Sequence, residues 1–320
     1  MYFVRRILFM VPLALLISLF AFALLKLAPG GPFSQERVPP SEAIRKTIEA
    51  RYHLDESWRK QYLRYLGLLW ERGADGRLHR ISGGLIVGDL GPSFKYRDHS
   101  VNDIIAQALP VSLSLGALAF LFAQGVGIPL GFYTAMRRGR WGDYIGSFVA
   151  ILAVCIPPLV VGPVLVMIFA IHLGWFPPAM WGSPACAVLP MIALGLFYSG
   201  KIARLMREGL LNTLQSEFIT TARAKGLSES KILLKHAFRL AVLPVVSYSG
   251  PLLADLLTGS FVIEATFQIP GIGVFMVNSM LNLDQPMTVG LVLLYAMLLL
   301  VLNLFVDFSY GLLDPRVRHE

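Results

Sequence analysis

The stretch "SEFITTARAKGLSESKILLKHAFR", residues 216–239, stands between two strongly apolar segments. It is basic and rich in helix-forming residues, and a glycine interrupts it. The whole chain is 55% hydrophobic and only 15% charged. Each Lys or Arg at the centre of a membrane helix costs about 2.5 to 3.5 kcal/mol. The stretch is therefore expected to lie in water, and the apolar segments around it are candidate membrane spans.

Uncharged intervals mark the parts of the chain that can enter lipid. A helix needs about 20 apolar residues to cross the hydrocarbon core, so the interval 144–200 must hold two spans. The segment "GWFPPAMWGSP", residues 174–184, supplies the loop between them. An all-α, polytopic fold is predicted, with six transmembrane helices at 7–27, 104–134, 145–172, 186–206, 240–263 and 285–307. The prolines inside the spans are expected to loosen or kink them: Pro129, Pro157, Pro158, Pro163 and Pro244.

The basic residues predict which side of the membrane each loop faces. Six spans put both termini on one side, where the loops and termini carry fifteen of the 28 Lys and Arg residues. The two short loops on the other side, 173–185 and 264–284, carry none. The positive-inside rule makes both termini and the opening stretch cytoplasmic. A cleaved signal peptide, suggested by Arg5, Arg6 and "AFA" at 21–23, is disfavoured because the apolar run is too long.

The chain is predicted to have three parts. Residues 1–29 form an N-terminal transmembrane helix, 30–103 an extracytoplasmic insertion, and 104–320 a core of five transmembrane helices. The insertion carries twelve Lys and Arg against ten Asp and Glu, and its periodic apolar residues predict a small, mostly helical domain. The net charge of +8 therefore reflects membrane topology, and no nucleic-acid partner is expected.

No catalytic or metal-binding pattern is found in the sequence. "GLFYSGKI", residues 195–202, matches a phosphate loop except at its last position, but Ile202 cannot bind magnesium and the glycines lie in an apolar helix. Cys155 and Cys186 are expected to pack in the core. The pairs Gly127/Gly131 and Gly142/Gly146 have the spacing of helix-packing contacts.

The opening stretch is predicted to form two helices. Ser216 is a candidate N-cap, Glu217 suits the positive end of a helix, and Gly226 permits a left-handed stop. Ser228 can then cap a second helix that leads into the fifth span. The short first helix is either a protruding element that another protein binds or an amphipathic helix that lies on anionic lipid. The residues alone leave both interpretations open.

The stretch resembles the EAA loop of ABC importer permeases. That motif corresponds here to Thr220, Thr221, Ala222, Gly226 and a later Leu243–Pro244 pair. Its Thr residues, and "TARAKGL" at 221–227, are similar to the peptide and nickel branch of the family. "GDLGPSFKYRDHSVNDIIAQALPVSLSLG" at 88–116, "GSFVIEATFQIPGIGVF" at 259–275 and "DFSYGLLDPRVR" at 307–318 resemble the oligopeptide permease B subunit. The segment near 70–87 is longer than in that family.

The resemblance implies a type I ABC importer permease in the bacterial inner membrane. Such a chain forms half of the pathway for oligopeptides, with dipeptides, nickel chelates or peptide-like antibiotics as alternatives. The implied partners are a homologous second permease, two cytoplasmic ATPases that use ATP and magnesium, and an extracytoplasmic binding protein; the chain itself binds no cofactor. The resemblance also implies an ATPase-coupling helix near 216–227. Its implied contacts with the ATPase are Glu217, Phe218, Thr221, Ala222, Arg223, Lys225, Gly226 and Leu227.

Asp255 is the one charged residue inside the fifth predicted span. A carboxylate there is costly and usually faces a cavity or a partner. It either lines the translocation pathway, where it could meet a peptide amine, or hydrogen-bonds a neighbouring helix. Glu264 and Asp307 are expected at solvated or interfacial positions. An ion-driven transporter is disfavoured because the spans hold no other buried charge, and an enzyme because no catalytic cluster is found.

Overall fold

The computed structural model describes residues 2–27, 42–72, 78–80, 83–96, 99–257 and 260–313, most of them helical. The elements up to residue 172 are α1 (Tyr2–Leu27), α2 (Glu42–Arg51), α3 (Trp58–Leu66), β1 (Trp70–Arg72), β2 (Leu78–Arg80), a 3₁₀ turn (Leu85–Val87), α4 (Val101–Met136), α5 (Trp141–Cys155) and α6 (Pro158–Leu165), which continues as a π-helix (Val166–His172). Arg316 and Arg318, which entered the topology prediction, lie outside the described residues.

The remaining elements carry the opening stretch and the last two predicted spans. They are α7 (Pro184–Leu214), α8 (Glu217–Ala224), α9 (Glu229–Lys231), a π-helix (Ile232–Ala237), α10 (Phe238–Ala241), α11 (Leu243–Leu257), α12 (Phe261–Thr266), α13 (Ile272–Leu281) and α14 (Gln285–Leu313). By their contacts the residues group into two compact units, Met1–Pro110 with Gly271–Leu300 and Val111–Pro270 with Val301–Glu320. The division of the chain into three parts at residues 29 and 103 was predicted from the sequence, and it remains a prediction.

In the part of the chain that the structure describes, four helices are long and apolar enough to cross a membrane, and two bent helix pairs raise the number to six if each pair is one span. The third predicted span, 145–172, is not a single rod, because α5 and α6 meet at an angle of 102°. Pro157 and Pro158 cause this break, since neither has the N–H that would continue the ladder of α5. The fifth predicted span bends by 45° beside Pro244.

Helix α7 is at the centre of the second unit. The Gly127/Gly131 pair of α4 packs against it, as the sequence spacing predicted: a Cβ at Gly127 would lie 2.7 Å from the backbone oxygen of Ser199, and one at Gly131 would meet the backbone oxygen of Ala203. Gly200 brings α7 equally close to Ala150 of α5. Helix backbones that approach this closely gain van der Waals contact, which holds helices together in lipid.

The first unit contains the described part of the insertion. Ser18 of α1 lies 2.8 Å from the hydroxyl of Tyr62 in α3. Asp284 is 1% exposed and accepts hydrogen bonds from Ser93 and from the Met287 amide at the start of α14. The insertion is not entirely helical, because β1 and β2 pair antiparallel within it.

The two cysteines do not pack as expected. Cys155 is exposed and Cys186 only half-buried, and both are free thiols. Cys155 is the last residue of α5, where the helix breaks before Pro157, so its side chain is not covered by the rest of the second unit.

Candidate coupling surface and intramembrane carboxylate

The opening stretch forms the predicted pair of helices. Ser216 has the extended backbone of an N-cap, but its hydroxyl does not cap α8. It donates instead to the carbonyl oxygen of Thr213 at 2.5 Å, near the end of α7, where carbonyl groups have no helical partner. The predicted start of the helix is therefore right, and the predicted capping hydrogen bond is wrong.

Gly226 ends α8 as predicted. Its φ of +75° lies in the left-handed region, where glycine has no Cβ to strain. Its amide donates to Arg223 at 2.9 Å, and the Leu227 amide donates to Ala222 at 3.3 Å. A Cβ at Gly226 would meet nothing within 4 Å. Only the backbone conformation, and not crowding, therefore requires glycine here.

Most of the predicted ATPase-contact residues lie on the outer face of α8 and the turn after it. The exposed ones are Glu217, Phe218, Thr221, Arg223, Lys225 and Gly226. Ala222 is only 8% exposed, and Leu227 is half-buried against the core. Both therefore position the helix rather than present a surface. Ile219 is fully buried and lies with Ala222 on the inner face of α8. The i, i+3 spacing of these two apolar residues indicates a shared buried face, which the sequence-based prediction missed.

Arg223 makes an ion pair that the sequence did not reveal. Its Nε donates to Glu229 at 2.7 Å, which links α8 to α9 across the turn at Gly226. This hydrogen bond raises the pKa of Arg223 and lowers the pKa of Glu229. Both side chains are well exposed, so the pair contributes little stability. Its consequence is geometric, because it holds the guanidinium toward the turn.

A second ion pair lies between α5 and α7. Arg207 donates two parallel hydrogen bonds to Asp143, each of 2.8 Å. Asp143 also accepts from the Gly139 amide at 3.0 Å and from Ser147 at 3.2 Å. The pair therefore ties the turn before α5 to the part of α7 that leads to α8. The two partners are 64 residues apart, and no local pattern points from one to the other.

Asp255 makes the hydrogen bond to a neighbouring helix that was one of the two roles considered for it. The Tyr198 hydroxyl on α7 donates to its carboxylate, so a hydrogen bond to a neighbouring helix exists. The Asp255 side chain is nevertheless exposed in the isolated chain. Tyr248, two turns earlier on α11, lies on the same helix face. The arrangement places a carboxylate and two tyrosine side chains close together on α7 and α11.

Glu264 does not lie at a solvated or interfacial position, contrary to the sequence prediction. It is fully buried, and the Ser112 hydroxyl donates to it at 2.8 Å. Helix α12 ends two residues after Glu264, and α4 covers the Glu264 side chain. The positions of the predicted span ends do not indicate this contact. The side chain of Asp307 lies outside the described residues.

Comparison with known proteins agrees with this architecture. The model of the family described as binding-protein-dependent transport system inner membrane component matches residues 127–319. The oligopeptide transport system permease protein OppB of Haemophilus influenzae is 43% identical over 317 residues, which cover 98% of each chain. OppB of Escherichia coli K12 is 41% identical over 320 residues, covering 99% of each. The dipeptide transport system permease protein DppB of Bacillus subtilis is 40% identical, covering 99% of this chain and 97% of the relative.

The fold also matches a solved structure. An inward-facing structure of the MetNI methionine ABC transporter superposes with a TM-score of 0.55, covering 66% of this chain and 96% of that one at 16% identity. The chain therefore belongs to the family of binding-protein-dependent transport system inner membrane components. It is a permease subunit of an ABC importer in the inner membrane, not an enzyme, and its resemblance to oligopeptide permease B subunits is confirmed.

Proposed function

We propose that the chain forms half of the translocation pathway for oligopeptides and pairs with a homologous second permease. Two cytoplasmic ATPases would supply the ATP and magnesium chemistry, and an extracytoplasmic binding protein would deliver the peptide. The names of relatives 41 to 43% identical over nearly the full length support oligopeptides. The dipeptide relative at 40% identity makes dipeptides the second candidate.

Helix α8 is the proposed contact for the ATPase. Phe218 is an exposed apolar residue of this helix, 41% exposed, and the fully buried Ile219 next to it anchors the inner face. A short, partly apolar helix that is held firmly by its buried residues suits a protein partner, because it can transmit force without unfolding. Movement of α8 as a rigid body would then pass to α7 and α11, the helices on either side of the stretch, and rock the spans between two arrangements.

The proposed topology places α8 on the cytoplasmic side together with both termini. The Lys and Arg residues before α5 and from α7 to α10 support it, since positive charge accumulates on cytoplasmic loops. The insertion would then face the binding protein. The predicted three-part division of the chain at residues 29 and 103 agrees with this arrangement.

Loss of Phe218 is expected to uncouple transport. We expect Phe218→Ala to reduce peptide uptake about tenfold, because truncating a central apolar anchor typically costs at least about 1 to 2 kcal/mol of binding. Uptake and peptide-stimulated ATP hydrolysis are measured in vesicles that contain all the subunits. Leu234→Ala is the matched control, because Leu234 is another exposed apolar side chain near the turn, 66% exposed, but outside α8.

Two results would contradict this function. Uptake by the chain without any ATPase subunit would rule out ATP-driven import. An equal loss of uptake in Phe218→Ala and Leu234→Ala would show that α8 is not the specific contact. Identification of the binding protein encoded beside this chain, and of the ligand it carries, distinguishes oligopeptides from the alternative substrates.

Asp255 is proposed to line the pathway and attract the peptide amine. We expect Asp255→Asn to lower uptake of cationic peptides several-fold more than uptake of neutral peptides of equal length. The substitution removes the negative charge and keeps the size of the side chain. Tyr198→Phe is the matched control, because it removes the hydrogen bond to the neighbouring helix and keeps the charge. An equal loss for cationic and neutral peptides would make Asp255 purely structural.

A further inference from the structure

Helix α7 carries a row of polar side chains on its open face that the proposed coupling mechanism does not use. Tyr198 and Lys201 are half-buried in the isolated chain and Arg204 is exposed, at the i, i+3 spacing of one helix face. Ile202, which lies between them in the sequence, is fully buried. The row therefore faces the same open side of the second unit as Asp255 on α11, to which the Tyr198 hydroxyl donates.

Lys201 is a cation inside the fourth predicted span, and aromatic rings hold its ammonium group. Its Nζ lies 4.4 Å from the centroid of the Phe197 ring and 5.9 Å from that of the Tyr198 ring. Within the described residues these rings, and not a carboxylate, are what the ammonium group meets. A cation over the face of a ring keeps N–H donors for a ligand. A charged residue within a span usually marks a pathway or a binding site.

The Lys201 side chain points away from the end of α7 that leads to α8. A lysine near the end of a span commonly extends along the helix until its ammonium group reaches water. Lys201 instead turns back over Phe197, one helix turn earlier and farther from the basic stretch that follows α7. This direction brings the ammonium group toward Tyr198 and therefore toward the carboxylate of Asp255.

One tyrosine side chain links the two opposite charges. Tyr198 donates its hydroxyl to the Asp255 carboxylate, and its ring centroid lies 5.9 Å from the ammonium nitrogen of Lys201. With an ordinary hydrogen-bond length, the two charged groups are therefore separated by at most roughly 12 Å. An extended chain advances about 3.3 to 3.6 Å per residue. A peptide of about three residues thus has its amine and its carboxylate this far apart.

We propose that Lys201 binds the terminal carboxylate of a short peptide whose amine lies at Asp255. The ammonium group donates hydrogen bonds to that carboxylate, and such charge-assisted contacts are stronger than those between neutral groups. Phe197 and Tyr198 keep the ammonium group in place. The pair of charges selects short peptides with both ends free. This inference rests on the proposed function, because it takes Asp255 to face the transported peptide.

Uptake of trialanine and of trialanine amide tests the role of Lys201 in vesicles that contain all the subunits. The ratio of the two rates is compared between variants, so the preference of the binding protein, which is the same in each, cancels. We expect Lys201→Met to lower uptake of trialanine about tenfold, because a charge-assisted hydrogen bond is lost, and to change uptake of the amide by about twofold at most. Lys201→Arg keeps the positive charge and should keep the ratio of the wild type.

Arg204→Met is the matched control, because it removes a cation on the same face of α7, one turn farther from Tyr198. An unchanged ratio in Lys201→Met, or an equal fall of the ratio in Arg204→Met, would overturn the assignment. Either result, in a complex that still imports trialanine, leaves the proposed function intact. A wild-type complex that imports neither peptide would overturn the proposed function and this inference with it.

Photo-crosslinking tests the same site in the wild-type complex and does not depend on the folding of a variant. A tripeptide whose last residue is benzoyl-phenylalanine is irradiated during turnover, and the labelled segment is identified by mass spectrometry. We expect the label on α7 within about one turn of Lys201, because the last residue carries the carboxylate that Lys201 binds. A label from the last residue that falls on other helices and not on α7 would overturn the assignment.

Discussion

Gly226→Val is expected to abolish peptide uptake while the chain still inserts into the membrane. Gly226 has a φ of +75°, and a β-branched residue is strongly disfavoured there. The left-handed conformation costs an L-residue about 1 to 2 kcal/mol in general. The turn would relax to negative φ, which changes the angle between α8 and α9 and pulls Arg223 away from Glu229. Ile219 would then leave its buried position, and the ATPase would meet a misaligned helix.

The measurements are uptake, peptide-stimulated ATP hydrolysis and the amount of chain in the membrane fraction. Gly226→Asn should retain most uptake, because asparagine tolerates the left-handed region better than other residues with a side chain. Gly174→Val is the matched control, since Gly174 has a φ of +65° and equally open surroundings in the loop between the third and fourth predicted spans. Normal uptake and normal stimulated hydrolysis in Gly226→Val would remove α8 as the coupling element.

The features that sequence reasoning recovered are set by neighbouring residues. The limits of α8 follow from the acidic first turn and from a glycine that can take positive φ, both within a dozen residues. The spans follow from uncharged intervals, and the Gly127/Gly131 contact follows from one turn of spacing. Each of these signals acts through local backbone geometry or through average hydropathy. Neither requires knowledge of which helices become neighbours.

The features that were missed depend on distant partners. Glu264 looked interfacial because it follows an apolar segment, yet Ser112, 152 residues away, meets it in a buried site. Pro157 and Pro158 indicated a kink, but its size of 102° depends on how the two half-helices pack. The ion pair between Arg207 and Asp143 likewise joins residues 64 positions apart. No periodicity in a single sequence encodes such contacts.

Arg207→Ala is expected to be the most destabilising change at the ion pair between α5 and α7. It leaves Asp143, whose side chain is 7% exposed, with an amide and a hydroxyl as its remaining hydrogen-bond donors. Removing one partner of a buried pair strands the other charge, and we expect a cost on the order of 2 kcal/mol here. Asp143→Ala should cost about 1 kcal/mol, because Arg207 is 30% exposed and its guanidinium can turn toward water.

The order of apparent melting temperatures, measured by tryptophan fluorescence in detergent, checks this difference in stability between the two variants. Arg204→Ala is the matched control, because Arg204 is exposed one turn earlier on α7 and should melt like the wild type. Asp143→Ala should have a lower melting temperature than the wild type and Arg204→Ala, and Arg207→Ala should have the lowest of all. The double substitution should melt above Arg207→Ala, since it removes the carboxylate that the single change strands. A lower melting temperature for Asp143→Ala than for Arg207→Ala would mean that the guanidinium, not the carboxylate, is the charge that water cannot reach.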